Sequence, residues 1–204
     1  MTILTKKKHI FLVLTAGFML TAVIALDVDA GGRRFSIRGS GAGKSFTGFP
    51  WTLTGGLTVN YYMSNKVSTK FMVAWGKDYA ELSVGSLLAP LGLLIKEHSD
   101  DTKSRLFGYL LLGLSLIENL SFHLPLGQNT ELTPTIGFCR LHGIEAPGRV
   151  YDDAEVGGNL GFEVNAYPGK HFTFGGYTEG HLLYAEGIPI GLTAGLHIGF
   201  LFYK

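Results

Sequence analysis

From Gly191 to Tyr203 the chain alternates faces almost without a break. Leu192, Ala194, Leu196, Ile198, Phe200 and Phe202 point one way. Gly191, Thr193, Gly195, His197, Gly199 and Tyr203 point the other, with Leu201 the one apolar residue among them. A two-residue period is a β-strand with one oily face and one small or polar face. The run is well beyond the usual strand of about 5–6 residues, and a tilted strand of about 9–11 residues spans a bilayer.

Similar alternation recurs through most of the chain. Leu53, Leu57, Val59 and Tyr61 are followed by a turn cluster at Met63–Lys66, then by Val67, Phe71, Val73 and Trp75. Leu82 and Val84 begin a strand that loses its pattern near Ala89-Pro90. Leu106, Leu110, Leu112, Leu114 and Leu116 alternate, although the leucine content of Arg105–Ile117 also suits a helix. Leu120–Leu126, Leu132–Phe138, Val156–Ala166, Phe172–Phe174 and the last strand complete the series. Arg33–Gly41 is a candidate first strand. The count is eight to ten strands, with eight favoured, because small barrels close at about that number.

Charged residues are 16 % of the chain and glycines number 29, against roughly 25 % charge in ordinary soluble domains. The formal net charge of +1 gives no basic surface for nucleic acid. A single cysteine, Cys139, excludes an intrachain disulfide and reads as a small hydrophobe. Lys6, Lys7 and Lys8, then the apolar Ile10–Leu26 and Val28-Asp29-Ala30, have the form of a signal peptide cleaved after Ala30. This divides the chain into a leader, 1–30, and a barrel, 31–204. Gly85, Pro90 and Gly92 interrupt the only other long apolar window, so a membrane protein left after cleavage has to be a closed barrel.

Trp51, Tyr61, Tyr62, Trp75, Tyr79, Tyr167, Tyr184 and Tyr203 fall at strand ends, where amphipathic rings suit the membrane–water boundary. The oily face is therefore expected outside, and the face rich in glycine, Asn, Glu and His inside. Matching faces across Pro168-Gly169-Lys170 sets Gly161 opposite Tyr177, Asn159 opposite Glu179 and Gly157 opposite His181. The next hairpin then sets Tyr177 opposite His197 and His181 opposite Thr193. Large residues repeatedly meet small ones, as in a narrow filled barrel.

The alternating C-terminal Leu196, Ile198, Phe200 and Phe202, behind a Sec-type leader, resembles the small outer-membrane β-barrel proteins of diderm bacteria, the opacity-type family in particular. The resemblance implies an all-β, closed, antiparallel up-and-down transmembrane barrel in the outer membrane. It further implies contact with outer-membrane lipid and lipopolysaccharide, a last strand read by the barrel-assembly machinery, and a monomer. It supplies no catalytic residues and no cofactor.

Gly39–Ser45 looks like a phosphate loop, but Arg38 stands where the motif needs glycine, so a flexible segment at the barrel's start is expected. His98, His123 and His142 show no metal-ligand spacing, and no metal site is expected. Glu163, Tyr177, Glu179, His181 and His197 share the inner side of three adjacent strands. They form either an acid/base site, as in barrels acting on lipid A or phospholipid acyl chains, or a hydrogen-bonded polar plug. Thr193 is the one hydroxyl nucleophile among them, and the His-x-Ser pattern of lipid A deacylase barrels is absent. Glu145, Arg149, Asp152 and Asp153, in or beside the loop Gly143–Asp153, are candidate binding residues because function concentrates on loops. A structural or surface-interaction role is the leading expectation. A barrel enzyme and a small-solute channel are the alternatives.

Overall fold

The computed structural model describes residues 32–47, 50–77, 79–144, 154–184 and 190–203. The expected leader and the loop residues Glu145, Arg149, Asp152 and Asp153 lie outside them.

The chain runs β1 (Arg33–Phe46), β2 (Thr52–Tyr62), β3 (Val67–Gly76), β4 (Tyr79–Ser83), α1 (Gly85–His98), α2 (Thr102–Ile117), β5 (Asn119–Phe122), β6 (Leu124–Pro125), β7 (Thr130–Ile144), β8 (Ala154–Ala166), β9 (Phe172–Leu183) and β10 (Ile190–Tyr203). Every neighbouring pair is antiparallel, and β1 pairs with β10 from Phe46↔Gly191 to Arg33↔Tyr203, which closes the cylinder. β4, β5 and β6 together form one stave between β3 and β7. Ten β segments thus build an eight-stave barrel. Closure removes the sheet edge that lipid could not solvate.

Orientation follows the alternation. Leu160, Phe162 and Val164 on β8, Phe174 on β9, and Leu192, Leu196, Ile198 and Phe200 on β10 are exposed on the outside. Leu196 is 72 % accessible, whereas its chain neighbour His197 is 7 % accessible. Large apolar side chains outside and charged ones inside invert a water-soluble protein and match a barrel set in lipid.

The fourth stave departs most from the sequence pattern. Arg105–Ile117 is helix, not strand, and the chain after Ser83 turns directly into α1. The two helices pack on the outside of the barrel over Val59, Phe71, Val73 and Leu82. They cross backbone to backbone. A Cβ on Gly92 would lie 2.7 Å from the Gly108 carbonyl oxygen, and one on Gly108 would lie 2.7 Å from the Gly92 oxygen. Small residues at a crossing are how helices pack where lipid supplies no hydrophobic drive. The remaining faces expose Leu87, Leu91 and Leu94 on α1, and Leu106, Phe107, Leu110, Leu114 and Ile117 on α2. A helix that is apolar all round is at home in a core or a membrane. Asp101 caps α2, accepting from the Ser104 N–H at 3.0 Å and its hydroxyl at 3.1 Å. These bonds hold the Asp101 carboxyl below its ordinary range. Among the described residues no helix is long and apolar enough to cross a membrane.

The wall is sewn across this excursion. The Val84 N–H donates to the Cys139 carbonyl at 3.2 Å, and the Phe138 N–H donates to the Glu118 carbonyl at 2.9 Å. On the other side the Met72 N–H donates to the Ser83 hydroxyl at 3.0 Å. Backbone polar groups in a barrel wall need such partners because lipid offers none.

Three smaller expectations are corrected. Gly39–Ser45 lies within the regular strand β1, not in a flexible segment. β8 and β9 pair two residues away from the predicted register: Gly161 faces Glu179 and Asn159 faces His181. β9 and β10 are offset likewise, with Tyr177 facing Gly195 and His197 facing Gly175. A two-residue slip keeps every side chain on its face, so alternation cannot detect it. The aromatic girdle is also sparser than expected: Trp51, Trp75, Tyr184 and Tyr203 are exposed, while Tyr61, Tyr62 and Tyr79 are buried.

Candidate functional site inside the barrel

Inward-facing charged residues from six of the staves meet in one chain of ion pairs. Arg38 on β1 donates to Glu163 on β8 at 2.8 Å. Lys70 on β3 bridges Glu163 at 2.5 Å and Glu179 on β9 at 2.8 Å. Arg140 on β7 joins Glu179 at 2.8 Å to Glu81 on β4 at 2.7 Å. Lys44 on β1 closes the chain on Glu81. All seven are buried. Buried charges are tolerable only when paired and hydrogen-bonded, and here each has at least one opposite partner.

Glycine makes room for these side chains. A Cβ on Gly161 would come within 2.5 Å of Glu179 Cγ, and one on Gly195 within 2.9 Å of the Tyr177 ring. On Gly175 it would be 2.9 Å from His197 Nε2, and on Gly199 it would be 2.7 Å from Arg38 Cγ. A cavity of about 10 Å³ lies beside Arg38, Lys70, Glu163, Tyr177 and His197, which is room for about one water.

The five residues singled out from the sequence all face inward, but they divide among different partners. Glu163 and Glu179 belong to the ion-pair chain. His197 Nε2 lies 2.8 Å from the Asn165 side-chain oxygen, and the Tyr177 and His197 rings are 6.1 Å apart. His181 Nε2 lies 2.8 Å from the Thr193 hydroxyl. No single site holds all five.

Sequence reasoning missed the cations Arg38, Lys44, Lys70 and Arg140, and with them Glu81, Tyr79 and His142. Arg38, Lys44, Lys70, Tyr79 and Glu81 have the inward parity of their strands, which is the signal that could have found them. The register shift between Gly137 and Arg140 reverses parity along β7 and hides Arg140 and His142. Near the end of the barrel where β1, β7 and β9 finish, the Tyr79 hydroxyl donates to Glu81 at 2.8 Å and lies 2.7 Å from His142 Nδ1. His142 and His181 stand edge to face, 5.5 Å apart, and the Phe46 ring packs against both, at 5.7 and 5.9 Å. His142 is therefore not an isolated histidine, as its spacing in sequence implies. Glu81, His142 and His181 offer ligand atoms that all lie within 4.8 Å of one another.

At the opposite end, where the β2–β3 and β8–β9 turns, the start of β1 and the end of β10 lie, Glu131 gathers a second cluster. Arg33 donates to it at 3.0 Å, His123 Nδ1 lies 2.8 Å from it, and the Tyr167 hydroxyl donates to it.

No protein-family model and no curated protein sequence matches the chain. Solved structures do resemble it in shape. The N-terminal β-barrel domain of Pseudomonas aeruginosa OprF superposes with a TM-score of 0.51 at 14 % identity, over 84 % of this chain and 99 % of that one. Neisserial surface protein A superposes with a TM-score of 0.50 at 7 % identity, over 84 % of this chain and 99 % of that one. With eight antiparallel staves closed on themselves, apolar residues outside and the same overall shape, the chain has the fold of the small outer-membrane β-barrels.

Proposed function

We propose that this chain is an outer-membrane barrel whose lumen is closed by its own side chains and whose role is structural or interactive, exercised from its outer surface and its loops. The observation that carries this reading is the ion-pair chain from Arg38 to Lys44, which links β1, β3, β4, β7, β8 and β9 across the interior. Groups so paired cross-brace the wall, and an open pore would leave them to water instead. Lipid surrounds the exposed Leu, Ile and Phe rows, and lipopolysaccharide is the natural neighbour of a barrel in that membrane. The loop carrying Glu145, Arg149, Asp152 and Asp153 is the binding surface in this reading, with the assembly machinery engaging β10.

A barrel hydrolase acting on lipid is the second reading, favoured by one contact, His181 Nε2 to the Thr193 hydroxyl at 2.8 Å. A base beside a hydroxyl is the minimum for nucleophilic catalysis. The orienting carboxylate, Glu81, is 4.0 Å from His181 Nδ1 and is already bonded to Lys44 and Arg140. Thr193 and His181 are both buried. Hydrolysis of labelled lipid A or phospholipid by the purified barrel, abolished in His181→Ala, would establish this reading; no turnover is expected.

Reconstitution into planar bilayers tests the closed lumen. The expected record is a quiet membrane at protein loads where a small porin gives steps. Stable ohmic steps that survive repurification would contradict the proposal and make the chain a channel.

A further inference from the structure

We infer that Glu81, His142 and His181 form a binding site for one first-row divalent cation of the Zn²⁺ type, set in the barrel interior just beneath the Phe46 ring. The residues come from β4, β7 and β9: Glu81 and His142 are cross-strand partners, and His181 lies one strand further on, across β8. Their ligand atoms already lie within 4.8 Å of one another. Zn²⁺ holds its ligands at about 2.0–2.2 Å, so small side-chain movements complete the set.

The hydrogen bonds around His142 present a lone pair to the site, and the one bond of His181 permits the same. The Tyr79 hydroxyl receives a bond from Lys44 Nζ at 2.6 Å and gives its single proton to Glu81 at 2.8 Å. Toward His142 Nδ1 it can then only accept, which puts the imidazole proton on Nδ1 and leaves Nε2 bare. His142 Nε2 has no hydrogen-bond partner among the described residues, although His142 is fully buried. His181 repeats the arrangement in mirror form. Its Nε2 is engaged by the Thr193 hydroxyl, and its Nδ1, equally unpartnered among the described residues, lies 4.0 Å from Glu81 Oε1. Buried polar atoms are almost always satisfied. An unsatisfied imidazole nitrogen on each histidine of a Glu/His/His cluster is what a cation would explain. Each histidine also has its other nitrogen fixed by a hydroxyl, as second-sphere partners fix metal ligands.

The donor set indicates the class of ion. Two imidazoles and one carboxylate suit Zn²⁺ and its first-row neighbours, whereas Ca²⁺ and Mg²⁺ prefer all-oxygen sites. Lys44 and Arg140 share Glu81 and compete with the metal for it. Replacing Lys44 with an uncharged residue of similar length should therefore strengthen binding.

Equilibrium titration of the full, tag-free, folded barrel in detergent tests the site, with Zn²⁺ as probe against a chromophoric chelator. Unfolding temperature with and without the ion is the second readout, since a ligand that binds only the folded state stabilises it. One ion per chain and a raised unfolding temperature are expected. His142→Ala and His181→Ala should each weaken binding by more than about 100-fold, because loss of second-sphere partners alone costs about 10–100-fold. His98→Ala, at the end of α1, should bind as the natural chain does. Lys44→Met, which keeps all three ligands, should bind more tightly. Co²⁺ substitution in the unaltered chain provides a visible spectrum of low-symmetry coordination and needs no variant to fold. Absence of saturable Zn²⁺ binding, or binding unchanged in both histidine variants, overturns the inference.

Discussion

Gly161 and Glu179 face each other across the β8–β9 ladder, and their fit illustrates how the interior is filled. A side chain at 161 would press on Glu179, which holds both Lys70 and Arg140. Gly161→Val should therefore lower the urea midpoint of the folded barrel, at a cost of about 1–3 kcal/mol for overpacking. Arg140→Ala goes further, since it deprives Glu81 and Glu179 of a shared, fully buried partner. Breaking a buried ion pair costs about 3–5 kcal/mol, and here the lower end is expected because Glu81 keeps Lys44 and Glu179 keeps Lys70. The same urea titration should show the larger fall for Arg140→Ala, and equal midpoints would contradict the role assigned to the ion-pair chain.

The helical hairpin is the element that sequence pattern hid and geometry explains. Ser83 pairs with Arg140 and Asn119 with Gly137 on the same strand, β7. Val84 and Glu118 bond to the intervening Cys139 and Phe138. The two halves of the stave are collinear, as though residues 85–117 had been set into a continuous strand between Val84 and Glu118. Joining Val84 directly to Glu118 should leave a barrel that still shifts on gels between unboiled and boiled samples. Most of the outer residues uncovered, among them Val59, Phe71 and Val73, are apolar and acceptable to lipid, with Thr69 and Glu118 the polar exceptions. Loss of the shift would make the hairpin part of the folding core. Within the hairpin, Gly108→Leu should force the helices apart and open the His98–Thr102 turn region to protease, while the barrel band persists.

Alternation predicted β8, β9 and β10 because their two faces meet different solvents, lipid and lumen. It failed for α2 because that helix meets lipid and apolar side chains on all sides, which erases the 3.6-residue contrast and leaves leucines that also fit a period of two. The inward placement of Glu163, Tyr177, Glu179, His181 and His197 was legible from parity alone. Their partners were not, since register and cross-barrel distance depend on closure. Glu81, His142 and His181 are far apart in sequence and meet only through the pairing of β4, β7, β8 and β9, which alternation does not specify.

The whole barrel turns its oily face outward and its charged face inward. Leu196, Ile198, Phe200 and Phe162 are assigned to lipid, and Glu163, Glu179 and His197 to the interior. A nitroxide at position 196, in a Cys139→Ala, Leu196→Cys chain reconstituted in bilayers, reads this directly through its relaxation by oxygen and by a water-soluble nickel chelate. Strong relaxation by oxygen with little effect of the chelate is predicted. The reverse, a label freely reached by the chelate and shielded from oxygen, would mean that the oily face does not meet the membrane.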